Sequence, residues 1–426
     1  MVNVFNKIKS VKGRLEFEGD KSISHRAVIL SSLAGGKSFI RNLSIGEDVK
    51  STIGCFEELG VIFKKVSGGL SVEGRGFKGL RKPERTLNCG NSGTTARLIS
   101  GILACQSFES EISGDDSLSR RPMKRIIDPL RYAGALMDAR EDNFLPIRFR
   151  ISRNIMPRDY TMSVASAQVK SALIFTGLHP EGVSTIRESG ITRNHTELML
   201  RLPAVHEGDL KIIKVSKDCY PLAEDYFIPG DISTASFFIV LTLLARDSEL
   251  IIKNVSLNST RTGYLSILKE MGGDIRILEI KNLSGEAFGD LHIRSSSLHN
   301  VKIGKDLIPQ IIDEIPILAV AGAFAEGEFR IDGGKELRVK ETDRISAICN
   351  NLKQVGVRID ETEEGFCISG RVTKKSGIFE SYGDHRIAMA TTILSLLLEN
   401  GGKINNFESI KISNPNFIKQ LTKVCR

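Results

Sequence analysis

The stretch GDKSISHRAVILSSLAGG, Gly19 to Gly36, decides how the rest of the chain is read. From Ala27 onward it is a buried helix, carrying Val28, Ile29, Leu30 and Leu33 and stopped by Gly35-Gly36. Asp20 and Ser22 are suited to cap its start. Yet Lys21, His25 and Arg26 crowd the first turns, where the helix dipole disfavours a cation by about 0.3–1 kcal/mol. Either these bases point into water or an anion sits among them.

The same plan recurs. NSGTTARLISGILA begins at Asn91, SAQVKSALIFTGL at Ser166, DISTASFFIVLTLLA at Asp231, DEIPILAVAGAFAEG at Asp313 and DHRIAMATTILSLLLENGG at Asp384. Each opens on polar, cap-capable residues and runs into an apolar segment rich in small side chains. With Lys21 there are six such starts, about 65–82 residues apart, which marks a repeat. A second element recurs beside it: an amphipathic helix ending at Gly60, Gly134, Gly272 or Gly356, then a strand, a polar turn and another strand. Alternating strand and helix closed by a hairpin, repeated six times, accounts for the chain and makes it an α/β repeat protein. Helices apolar nearly all round belong in the interior. Parallel buried helices with polar N-termini offer positive dipole ends to anions.

The 426 residues are enough for two domains, and 41% hydrophobic with 26% charged residues is an ordinary soluble composition. No apolar run reaches membrane-spanning length, and the first residues, MVNVFNKIKS, lack a signal-peptide core. Seven scattered cysteines, none in a CxxC, point away from a disulfide framework or zinc site and towards a reducing, cytoplasmic setting. The net charge of +8 invites a nucleic-acid partner, but the bases are dispersed and aromatic residues make up only 6%, with no Trp to stack on bases. The excess charge fits small polyanions better.

Bases stand at most of the helix starts. Lys21 and Arg26 are at the first, Arg97 one turn into the second, Lys170 early in the third and Arg386 at the sixth. Any one alone reads as a solvent-facing or snorkelling side chain. Their recurrence at the electrostatically disfavoured end points to docked phosphate or carboxylate groups. CGNSGTTARL, from Cys89, adds Gly90 and Gly93 for close backbone approach and Asn91, Ser92 and Thr94 as donors. It has no GK[ST], so it is not a nucleotide-hydrolysing loop. In DDSLSRRPMKR, Asp115 to Arg125, Pro122 suits the first position of a helix behind Arg120-Arg121. In KELRVKETDRISAI, Arg338, Lys340, Glu341, Asp343 and Arg344 read either as a charge-laced loop entering a helix or as acid and base among cations.

GDKSISHRA, NSGTTARL, RRPM, SAQVKSALI, RVKETDRI and GDHRIAMA occur in one order across nearly the whole chain. In that order the chain closely resembles the 5-enolpyruvylshikimate-3-phosphate synthases of aromatic amino-acid biosynthesis. The resemblance implies an inside-out α/β barrel in two domains, six βαβαββ-type repeats with three per domain, and helix N-termini facing a cleft. By analogy, one domain spans residues 19–236 and the other combines 1–18 with 237–426. It further implies transfer of the enolpyruvyl group of phosphoenolpyruvate to the 5-hydroxyl of shikimate 3-phosphate, with release of phosphate and no metal or organic cofactor. A monomer is expected, with neither nucleic acid nor membrane as partner.

Carried over residue by residue, the resemblance makes Asp313 the acceptor of the hydroxyl proton, Glu341 the proton donor to the methylene and Lys21 the cation assisting phosphate departure. Shikimate 3-phosphate would be held by Lys21, Ser22, Arg26, Ser166, Gln168, Asp313 and Lys340. Phosphoenolpyruvate would be held by Lys21, Gly93, Arg121, Gln168, Arg344 and Arg386; Asn91, Arg97, Lys170 and His195 are further candidates for the site, with no substrate assigned to them. Ala167 replaces a serine of one branch; SAQVK and TRNHTE are those of the other, in which Lys170 and His195 take part in the site. Lys411 stands one residue out of the family's register, which would turn it to the opposite face of a strand. Glyphosate occupies the phosphoenolpyruvate site in this family, and insensitive members carry a methyl at the glycine equivalent to Gly93, so inhibition is expected here. The sister reaction, transfer to UDP-N-acetylglucosamine, goes with a lid cysteine that GDDSLSRRPM lacks. A nucleic-acid-binding or end-modifying protein on a related fold would leave Asp313 and Glu341 without a role.

Overall fold

A computed structural model describes residues 2–163 and 165–426. All six expected small-residue helices are present: Lys21–Leu33, Gly93–Leu103, Ala167–Gly177, Ile232–Leu244, Ile315–Phe324 and His385–Leu397. Five are capped as their composition demands. The side chains of Asp20, Ser92, Ser166, Asp231 and Asp384 accept N–H groups of their first turns. The exception is informative. The fifth helix begins beyond Glu314 with no side-chain cap, and the Asp313 carboxylate is used elsewhere. The amphipathic helices Glu47–Glu58, Lys124–Tyr132, Gly263–Glu270 and Arg344–Gln354 are followed by Gly60, Gly134, Gly272 and Gly356, all at positive φ. A side chain there would be strained, hence the glycine.

The chain divides into two compact units, Gly19–Ile228 with Asn282–Glu286, and Met1–Glu18 with Pro229–Lys281 and Ala287–Arg426. The division falls at Ile228/Pro229 rather than at residue 236. Asp231 caps the Ile232–Leu244 helix, which is buried at every residue but its last, so a boundary at 236 would cut one continuous core helix.

The Gly19–Ile228 unit contains three four-stranded sheets of one design. In the first, Gly35–Arg41 runs parallel to Asp225–Phe227 and antiparallel to Gly69–Arg75, which pairs antiparallel with Ile62–Val66. Leu87–Asn88, Ser110–Ser113, Phe144–Phe149 and Met137–Arg140 repeat that order, as do Asp159–Thr161, Ser184–Ser189, Leu210–Val215 and Ala204–Glu207. The first sheet takes its parallel edge from the last strand of the segment, which closes the threefold set. The other unit carries the same theme with N-terminal contributions. Lys12–Glu16 lies parallel to Glu249–Ser256, and Val2–Phe5 pairs antiparallel with Gly402–Asn405.

The small-residue helices pack on one another inside each unit. The Gly93 helix contacts both the Lys21 and Ala167 helices, and the Ile232, Ile315 and His385 helices contact each other pairwise. At Gly101 the approach is so close that a Cβ would lie 2.1 Å from the Ala172 carbonyl oxygen. Among the described residues no single helix is long and apolar enough to cross a membrane; one bent pair passes by composition, but its Ile315–Phe324 half is core helix.

Two local expectations change. Pro122 is not at a helix start: a short 3-10 turn spans Leu118–Arg120, and the helix begins at Lys124, where Asn143 Oδ1 accepts the N–H groups of Met123 and Lys124. Lys411 lies in a 3-10 helix, Phe407–Ile412, so strand-face reasoning does not apply. It is exposed while Ile410 beside it is buried.

Candidate active site

In the Gly19–Ile228 unit the structure gathers most of the expected anion-binding residues around two helix starts. Lys21 Nζ lies 3.0 Å from Asp48 Oδ2, and the Asp48 carbonyl accepts from Thr95 on the Gly93 helix. Asn91 bridges Asp115 and Arg121, donating to the former and accepting from Arg121 Nη2 at 2.7 Å. Arg97 Nη1 donates to Gln168 Oε1 at 2.7 Å, and Gln168 Nε2 donates to Thr94 Oγ1 at 3.0 Å. The hydrogen-bearing face of Gly93 looks at these guanidinium groups: a Cβ there would lie 3.0 Å from Arg97 Nη1 and 3.6 Å from Arg121 Nη1. Two arginines, an amide and a helix N-terminus thus converge on a glycine, as an anion requires.

Beneath this cluster runs a chain of buried side chains. His25 Nδ1 lies 2.7 Å from Thr52 Oγ1, which is 2.7 Å from Thr95 Oγ1, itself 2.7 Å from Ser92 Oγ. Burial, then the neighbouring Lys21 and Arg26, push the His25 pKa well below 6.5, so the imidazole is neutral and adds no charge to the site. Arg26 is 2% exposed. Its Nε donates to Thr196 Oγ1, Nη1 to the Ser22 carbonyl and Nη2 to Ser171 Oγ. Burial lowers its pKa to about 10, which still leaves it a cation at neutral pH.

Two further candidates are engaged by carboxylates. Lys170, with 0% of its side chain exposed, lies 2.7 Å from Glu188 and 2.8 Å from Glu197. His195 Nδ1 lies 2.7 Å from Glu286, and both side chains are buried. Ser166 is the cap of its helix, accepting from Val169 N–H.

In the other unit the acid–base candidates meet on one guanidinium. Arg344, 1% exposed, donates from Nη1 to Asp313 (3.2 Å), from Nη2 to Glu341 (2.8 Å) and from Nε to Asp384 (2.8 Å). Burial opposes its charge, but Asp384, Glu341 and Asp313 together outweigh burial and hold its pKa well above the ordinary arginine value. Arg344 starts its own helix one residue after Asp343, whose carboxylate caps it. Glu341, three residues earlier, is brought back onto the guanidinium by the turn. Lys340, half-buried, ends the preceding 3-10 turn. Arg386 is 6% exposed; its Nε and Nη1 have no hydrogen-bond partner, and the nearest carboxylate, Glu314, is 3.8 Å from Nη1. Glu314 also accepts from Ser233, which in turn accepts from Arg261. A buried guanidinium with idle N–H groups is costly unless an anion takes them.

Sequence reasoning missed Asp48, Glu188, Glu197, Glu286 and Glu314 as charge partners. The sequence marks Asp384 only as a helix start, whereas its carboxylate both caps that helix and holds Arg344. None of these carries a local signal, because each pairs with a residue distant in the chain.

Residues 5–421 match the family model described as EPSP synthase (3-phosphoshikimate 1-carboxyvinyltransferase). The chain belongs to the EPSP synthase family. It is 44% identical to the 3-phosphoshikimate 1-carboxyvinyltransferase of Alkaliphilus metalliredigens over 426 residues, covering 99% of this chain and 100% of that one. It is 46% identical to the Caldicellulosiruptor saccharolyticus protein of the same name over 421 residues, covering 97% and 96%. The structure superposes on EPSP synthase from Acinetobacter baumannii with a TM-score of 0.88 at 35% identity, covering 100% of this chain and 98% of that one. Likeness to the enolpyruvyl transferase NikO from Streptomyces tendae, at TM-score 0.77 and 14% identity over 100% and 97% of the chains, extends the fold alone. The two-domain inside-out α/β repeat is the fold of this family, and the chain is an enzyme that transfers an enolpyruvyl group to shikimate 3-phosphate in the shikimate pathway.

Proposed function

We propose that Glu341 and Asp313 perform the proton transfers of this reaction, with Arg344 setting their positions. The observation that carries the reading is the shared guanidinium: Asp313 and Glu341 are bound to its two Nη atoms, so their separation is fixed by a rigid planar group. Glu341 delivers a proton to the methylene carbon of phosphoenolpyruvate, leaving the adjacent carbon electrophilic. The 5-hydroxyl of shikimate 3-phosphate attacks that carbon as Asp313 takes its proton, giving a tetrahedral ketal. The ketal expels phosphate, whose departure Lys21 assists by charge, and loss of a methyl proton to the Glu341 carboxylate restores the double bond. Glu341 thereby regains its proton, the proton held by Asp313 leaves with the departing phosphate, and atoms and protons balance with no further reactant.

Binding is assigned by charge. Arg386, whose idle N–H groups are buried, and Arg121 with the Gly93 backbone hold phosphoenolpyruvate, supported by Arg97, Gln168, Asn91 and Arg344. Ser22 and Arg26 hold the shikimate carboxylate, Ser166 and Gln168 its phosphate side, and Lys340 the ring substituents. We further propose a cytoplasmic monomer: one chain carries every residue the chemistry uses, and all seven cysteines are free thiols.

The test is phosphate release from shikimate 3-phosphate and phosphoenolpyruvate, with mass spectrometry of the enolpyruvyl ether. Glu341→Gln should lower kcat by about 10²–10⁴ while the KM values stay close to wild type. Unchanged kcat in that variant would remove Glu341 from the proton-transfer role.

A further inference from the structure

One buried cluster in the Gly19–Ile228 unit has no part in the chemistry above. Lys170 Nζ lies between Glu188 Oε1 at 2.7 Å and Glu197 Oε1 at 2.8 Å, and Lys211 approaches the same two oxygens at 3.7 and 3.1 Å. Thr192 donates to the other oxygen of Glu188 at 2.8 Å. A single ammonium therefore ties the Ala167–Gly177 helix, the Ser184–Ser189 strand and the His195–Met199 helix together.

The neighbours of these residues grip Arg26. Ser171 follows Lys170, and its Oγ accepts from Arg26 Nη2 at 2.8 Å. Thr196 precedes Glu197, and its Oγ1 accepts from Arg26 Nε at 2.6 Å. The two hydroxyls are themselves 2.7 Å apart. Displacing either helix pulls one acceptor off the guanidinium. For stability alone such a cluster is a poor device, since desolvating buried ions offsets much of their attraction and apolar packing does as well. To reach a substrate, Lys170 would also have to abandon two buried carboxylates.

We propose that Lys170 is a positioning residue for Arg26: its ammonium holds the two helices in the register that aims the guanidinium at the shikimate carboxylate. The inference rests on the reading of Arg26 as the ligand of that carboxylate.

Four variants test it: Lys170→Met, Lys170→Met with Glu197→Gln, Ser171→Ala and Arg26→Lys. KM for each substrate, kcat and the melting temperature are measured on all four. Lys170→Met should raise KM for shikimate 3-phosphate about tenfold, as misplacement of a binding group does, while KM for phosphoenolpyruvate moves less than about twofold. Adding Glu197→Gln leaves one carboxylate facing Lys211 and should recover most of that loss. Ser171→Ala keeps the ion cluster intact and should raise the same KM by about threefold or more, because a charged donor loses one of its acceptors. It therefore reports even if Lys170→Met does not fold, and an unchanged KM there overturns the proposal. So does a rise confined to phosphoenolpyruvate in Lys170→Met, which would make Lys170 a ligand of that substrate. An Arg26→Lys enzyme with unchanged KM for shikimate 3-phosphate would instead refute the role of Arg26, and the positioning role with it. A raised KM in Arg26→Lys beside an unchanged one in Lys170→Met would refute positioning alone.

Discussion

Adding one methyl at Gly93 tests the anion site at its tightest point. The new Cβ would lie 3.0 Å from Arg97 Nη1, 3.6 Å from Arg121 Nη1 and 3.6 Å from Leu118 Cδ1. Relaxed contacts of this kind are about 3.5 Å or longer, so the Arg97 guanidinium must retreat by roughly 0.5 Å. That nitrogen donates to Gln168 at 2.7 Å, and the retreat stretches the bond towards the roughly 3.2 Å limit of good N–H···O geometry. The backbone does not object, because Gly93 is the first residue of its helix and lies outside the positive-φ set. Alanine there recovers about 0.4–1 kcal/mol through the unfolded state, which offsets part of the crowding. Stability should therefore change little while anion binding suffers. Weakening one charge-assisted hydrogen bond, worth about 1.5–3 kcal/mol, corresponds to a loss of about tenfold or more. Gly93→Ala should raise KM for phosphoenolpyruvate by about tenfold and weaken glyphosate inhibition at least as much, with the melting temperature within a few degrees of wild type. The assay is phosphate release across a phosphoenolpyruvate series, with and without glyphosate. Wild-type KM and wild-type inhibition in a folded Gly93→Ala enzyme would refute the placement of the anion beside Gly93.

Three other outcomes follow from the packing and charge of the two units. Arg344→Met leaves Asp384, Glu341 and Asp313 facing one another without their cation, and should cost about 3–5 kcal/mol in urea unfolding as well as nearly all activity. Gly101→Ala drives a methyl to 2.1 Å from the Ala172 carbonyl oxygen, so the two helices must part; a loss of about 1–3 kcal/mol is expected by thermal melting, with little change in KM. Burial lowers the pKa of His25 well below 6.5 and that of His179 to about 3. As pH falls below 6.5 the unfolded chain takes up protons that the folded one refuses, so stability present above 6.5 is lost towards pH 3, by up to about 1.4 kcal/mol per pH unit for each histidine. His179→Phe, which keeps the stacking on Phe77, should flatten the curve of urea midpoint against pH between 6.5 and 5, and an unaltered slope would show that His179 titrates normally.

What the chain determined by itself is what acts over a few residues. The caps Asp20, Ser92, Asp231 and Asp384, the apolar helices behind them and the terminating Gly60, Gly134, Gly272 and Gly356 are legible because each works through its own turn of backbone. Their sixfold recurrence was enough for the α/β repeat. Local cues failed where a neighbour in space redirected a residue. Asp313 looks like a cap, but Arg344, 31 positions away, takes its carboxylate; Asn143 rather than Pro122 starts a helix; and Lys411 sits in a 3-10 turn instead of a strand. The charge pairings belonged wholly to the tertiary structure. Lys21 meets Asp48 27 residues on, Arg344 meets Asp384 40 residues on, and Arg26 is gripped by residues 145 and 170 positions away. A buried ion is tolerable only beside its partner, and spacing along a chain carries no information about which distant carboxylate packing will bring within 3 Å.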